Sequence, residues 1–90
     1  MQYYEGVGKS IDDILKKMRN SPTNIRFSEL EKVCDHFFDK RPSKKTSHQT
    51  YKTPWIGNPR VNIQNDGGKA KAYQVSQVLE AVDTLKRIAS

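Results

Sequence analysis

Cysteine is nearly absent from this chain. Cys34 stands alone, so no internal disulfide can form, and no second thiol is placed at metal-ligand spacing. Packing alone must hold the fold. Long apolar runs are also missing: none exceeds three residues, against the roughly 20 that a membrane helix needs. The first residues lack the apolar stretch of a secretory signal. A soluble, cytoplasmic protein is therefore expected. Carboxylates are scarce in one place in particular. Residues 40–73 hold a single acidic side chain, Asp66, which is too few for a carboxylate-bound metal.

That gap coincides with an excess of the opposite sign. Residues 1–39 sum to −1, residues 40–73 to +7 and residues 74–90 to zero, which makes up the net charge of +6. A basic surface confined to one segment is the footprint of a polyanionic partner, with nucleic acid first among candidates, although it also suits a solvated face that serves solubility. Ninety residues normally form one domain around one modest core.

The pattern along the chain predicts the elements. Residues 1–9 have no usable period and receive no role. Ser10 with Asp13 is an N-cap pair ahead of Ile11, Ile14, Leu15 and Met18, so a short amphipathic helix should run to about residue 20, before Pro22. Ser28 and Glu31 form a capping box ahead of Leu30, Val33, Cys34 and Phe37, which predicts a helix over 28–39 with Cys34 as a buried, inert thiol. His36 lies off that stripe and receives no role. Residues 40–46 read as a charged link or a short edge strand. SHQTYKT (47–53) and RVNIQ (60–64) read as an antiparallel hairpin. Tyr51 sets the parity of the first strand, with Ser47, Gln49, Tyr51 and Thr53 inward and His48, Thr50 and Lys52 on the open face. Asn65 to Gly68 are turn material, and Val75, Val78, Leu79, Val82 and Leu85 mark a helix from about 74 to 88. The expected fold class is α+β, a small antiparallel sheet of two to three strands with helices on one face.

Most chemical signatures are missing. Gly67 and Gly68 lack the lysine-terminated spacing of a phosphate loop, and two histidines with one cysteine on different elements do not make a zinc cage. RNA cleavage without a metal needs a group that takes the ribose 2′-OH proton, a donor for the leaving 5′ oxygen and cations around the phosphorus. Histidine suits the proton steps because its ordinary pKa of about 6.5 lies near the working pH. His48 is the one histidine in the basic segment, with Lys44, Lys45, Lys52 and Arg60 as phosphate contacts and the Tyr51 hydroxyl as a second proton donor. On residue content alone, a lone histidine on a strand is usually a bystander.

The stretch TSHQTYKTP (46–54), the strand RVNIQ (60–64), and KAKAYQVSQVLEAV after a turn resemble the HicA toxin family. There a Gly-Ser-His motif opens a strand, a second strand ends in a turn with basic residues, and a Leu-rich helix closes a fold similar to the double-stranded RNA-binding domain. The resemblance spans roughly residues 24–86. It implies an α-β-β-β-α core with an extra N-terminal helix, an extension over 1–22 and an RNA-directed domain over 23–90. It further implies a ribosome-independent mRNA endonuclease with no cofactor or metal, held inactive by a HicB-type antitoxin. His48 takes the place of the family's essential histidine and Ser47 matches the motif. Lys44, Lys45, Ser47, Lys52, Arg60, Lys69 and Lys71 are then the RNA-binding candidates. Thr46 departs from the family glycine, which bears on local backbone geometry and on activity.

Some alternatives stay open at this stage. The helix of residues 10–20 either extends the core or offers a surface to a partner. Trp55 either stacks on a base, anchors a partner protein or caps the edge of the core. The whole chain is either an endoribonuclease or an RNA-binding module that does not cut, with an interaction domain lacking RNA affinity as a third reading.

Overall fold

The computed structural model describes residues 10–42, 48–55 and 60–89. The Ser10 hydroxyl accepts a hydrogen bond from the Asp13 N–H at 3.1 Å, and α1 (Ile11–Asn20) starts at the next residue. Its Ile14, Leu15 and Met18 stripe is buried in the same core as the rest of the chain, so this helix extends the core. The Ser21 N–H donates to the Lys17 carbonyl at 2.7 Å and closes the helix before Pro22.

The second helix starts one residue before the expected 28–39, ends at Phe37, and takes its cap two residues before Ser28. Residues 25–27 pair first with the chain near Gly68: the Ala70 N–H donates to the Ile25 carbonyl at 2.9 Å, and the Phe27 N–H to the Gly68 carbonyl at 3.0 Å. That pairing keeps the backbone extended through Arg26 and makes Arg26 the N-cap of α2 (Phe27–Phe37). The carboxylate that reaches back is therefore Glu29, accepting the Arg26 N–H at 2.9 Å, and Glu31 is left to meet Lys40 instead.

The sheet has four strands, where two to three were expected. Their order is β1 (Asp39–Lys40), β2 (His48–Lys52), β3 (Arg60–Asp66) and β4 (Lys69–Ala70), all antiparallel. The two outer strands are two residues long, too short to carry an alternating pattern. They exist because β2 and β3 offer them backbone partners. Gly67 and Gly68 have φ of +62° and +90°, the left-handed pair that a two-residue β-hairpin turn needs between β3 and β4. Helix α3 (Ala72–Ala89) follows at once.

The inward residues of the sheet, Tyr51, Val61, Ile63 and Ala70, join Leu30, Val33 and Cys34 of α2 and Val75, Val78 and Val82 of α3 in one hydrophobic cluster. Helices α2 and α3 thus lie on one face of a four-stranded antiparallel sheet, with α1 packed against both of them, an α+β architecture. On the opposite face of the sheet His48, Lys52, Arg60 and Asn62 are exposed.

Candidate nucleic-acid interface

Antiparallel pairing places directly opposed residues on the same face, so the register of β2 and β3 defines what the open face carries. His48 lies opposite Gln64, Thr50 opposite Asn62 and Lys52 opposite Arg60. His48, Lys52, Arg60 and Asn62 are exposed, whereas Tyr51, Val61 and Ile63, one step out of phase, are buried. The strand parity read from Tyr51 is the parity of the fold. The Thr50 hydroxyl donates to the Asn62 side-chain oxygen at 2.9 Å and ties the middle of the face together. Asp39 stands beside Lys52 at one end, and Lys69 opposite Asp66 beyond the other.

The sequence's basic excess is partly neutralised once the chain folds. Lys40 meets Glu31 at 2.8 Å and Asp35 at 3.5 Å, and lies 5.7 Å from the centre of the Tyr51 ring. Lys17 pairs with Glu29 at 3.0 Å, and Arg19 with Asp83 at 2.7 Å. Glu29, Glu31 and Asp35 of the first third and Asp83 of α3 are thus spent on the helical side of the molecule. Among the described residues, Arg41, Lys52, Arg60, Lys69 and Lys71 make no such ion pair and remain available to a polyanion. Of these, sequence reasoning missed Arg41. Its N–H donates to the Thr50 carbonyl at 2.8 Å, which carries the first strand's pairing one residue further along β2.

The candidates of the sequence fall into three groups. His48, Lys52 and Arg60 share the open face; Lys69 follows on β4 and Lys71 flanks the first turn of α3. Lys44, Lys45 and Ser47, with Thr46, lie outside the described residues. Tyr51 cannot be the second proton donor beside His48. It is buried on the opposite face, its hydroxyl donates to Asp35 at 2.8 Å, and burial followed by that bond pushes its pKa up. Cys34 is inert as expected, its thiol pushed up to about 12 by burial and then by nearby Asp35. Trp55 packs edge-on against Phe38, with ring centres 6.3 Å apart, and caps the core rim while one side remains open.

One polar arrangement carried no sequence signal. Beyond Ala70 the chain leaves the sheet, because the Lys71 carbonyl accepts the Gln74 and Val75 N–H groups at 2.9 and 3.0 Å and starts α3. The Gln64 N–H would otherwise lose its partner. The side chain of Gln74, almost fully buried, supplies the missing acceptor at 2.8 Å. Its amide nitrogen lies 3.4 Å from the Tyr73 hydroxyl.

No family model, curated protein or solved structure matches this chain.

Proposed function

We propose that this chain is an endoribonuclease toxin of the HicA kind that cleaves mRNA without a metal and is neutralised by a HicB-type antitoxin covering the open face of the sheet. The observation that carries the reading is the register of β2 and β3, which puts the exposed His48 on one face of the sheet with Lys52 and Arg60, while Glu31 and Asp35 are engaged by Lys40. On this reading the cations hold phosphates, and Thr50, Asn62 and Gln64 offer short polar contacts between them. His48 takes the proton from the ribose 2′-OH as that oxygen attacks phosphorus. It then gives the proton to the 5′ oxygen as the P–O5′ bond breaks, leaving a 2′,3′-cyclic phosphate and a 5′-hydroxyl. Lys69, opposite Asp66 at the His48 end of the sheet, steadies the charge on the phosphoryl oxygens at the crowded stage between, while Lys52 and Arg60, four residues away, hold flanking phosphates.

A second reading is a module that binds RNA without cutting it. It is favoured by the spread of the cations, since Lys52 and Arg60 lie four residues along their strands from His48 and Gln64. One experiment separates the two. Induced expression of the wild type should arrest growth and fragment RNA, also when RNA and purified protein are mixed with EDTA present. His48→Ala should do neither while keeping its fold and most of its RNA affinity. Two folded, RNA-binding and equally harmless proteins would establish the binding module instead.

A further inference from the structure

Among the described residues, the most exposed large apolar side chains are Tyr73 and Ile88, each 58% exposed, and they lie at opposite ends of α3. Ile88 is near the free end of that helix and has no polar neighbour that would define a site. Tyr73 is different, because a chain of hydrogen bonds that starts on the sheet reaches its hydroxyl. The Gln64 N–H can only donate, so the Gln74 side chain must present its oxygen there and turn its nitrogen toward Tyr73. That nitrogen in turn can only donate, so the Tyr73 hydroxyl oxygen accepts at 3.4 Å. The ring is thereby anchored to the β3 edge at Gln64, the residue directly opposite His48. Lys69 and Lys71 precede it in the chain, with Asp66 opposite Lys69 across the turn, and the first turn of α3 has no acidic residue. Positive charge around an exposed, anchored aromatic ring is the combination that holds a single nucleic-acid strand, the cations taking phosphates and the ring taking a base.

We infer that Tyr73 is a nucleobase-stacking residue that seats an RNA base beside the His48 end of the sheet. The inference rests on the RNA-directed reading and adds to it a demand for an unpaired base, since a base inside a duplex has no face to offer the ring. Gln74 is the positioning residue that holds the ring in place.

The test measures binding of a short single-stranded RNA, and of its abasic counterpart with the same phosphates, to the full chain carrying His48→Ala so that the probe survives. Tyr73→Ala should weaken binding of the normal RNA about tenfold and leave the abasic RNA unchanged. Tyr73→Trp should restore binding, and Tyr73→Phe, which keeps the ring, should stay within about threefold of the parent. Equal affinity of Tyr73→Ala and the parent for normal RNA would overturn the stacking role alone, as would equal losses on both RNAs. A parent that binds neither RNA would overturn the RNA-directed reading and this inference with it.

Discussion

Gln74 shows how much can depend on one buried amide. Leucine has about its size but no acceptor, so Gln74→Leu leaves the Gln64 N–H without a partner at the point where β4 ends. The expected loss is about 1 kcal/mol, read as a drop of roughly 4–8 °C in Tm by thermal melting. Cys34 is a second residue with a measurable signature. Its thiol ionises more readily in the unfolded chain, near pH 8.5 to 9, than in the core, where it is pushed up to about 12. A folded-state pKa raised in this way contributes stability that is whole below pH 8.5 and is lost as pH rises. Urea unfolding between pH 7 and 11 should therefore show a decline that begins near pH 9 and steepens toward about 1.4 kcal/mol per unit, with the rise at Tyr51 adding to it above pH 10. A flat profile over that range would mean that the thiol is not sealed.

At the scale of elements, the turn between β3 and β4 gives the sharpest prediction. Both glycines have positive φ with open space where a side chain would go, so the cost of substitution is conformational rather than steric crowding. Gly67→Asn should be nearly neutral, because asparagine tolerates the left-handed region, whereas Gly68→Val should cost about 1–2 kcal/mol in chemical unfolding. The pair between Arg19 on α1 and Asp83 on α3 depresses the Asp83 carboxyl. Both side chains are about half exposed, so the contribution to stability is small; it is present above the ordinary carboxylate range and lost as pH falls below it.

The elements also show what a sequence can reveal. The first helix was legible because cap and stripe agree, and the face carrying His48 was legible from Tyr51 alone, since period-two alternation needs only one fixed point. The outer strands were not, because two residues cannot display a period. The early start of α2 was hidden because it is dictated by pairing with Ala70 and Gly68, more than forty residues away. Tyr73 and Gln74 read only as the approach to a helix, because their significance depends on where β4 leaves the sheet.

At the scale of the molecule, folding sorts charge that the sequence only concentrates. Acids of α2 neutralise Lys17 and Lys40, and Asp83 of α3 neutralises Arg19, while Lys52 and Arg60 stay on the open face. If the chain is RNA-directed as proposed, its RNA binding should accordingly fall with salt. Lys52→Ala and Arg60→Ala should each lower the slope of log affinity against log salt by roughly 0.7 to 0.9, whereas Lys17→Ala should leave it unchanged. An unaltered slope for Lys52→Ala would take that corner of the face out of the interface.

Trp55 gives that corner an optical property. It is the chain's one tryptophan, seated against Phe38 and bordering a surface groove that Arg60 and Asn62 also line. Its emission will shift to the red when the core rim opens to water, and will be quenched when a base or a partner side chain closes over the groove. Unlabelled protein therefore reports occupancy at the Arg60 end of the sheet.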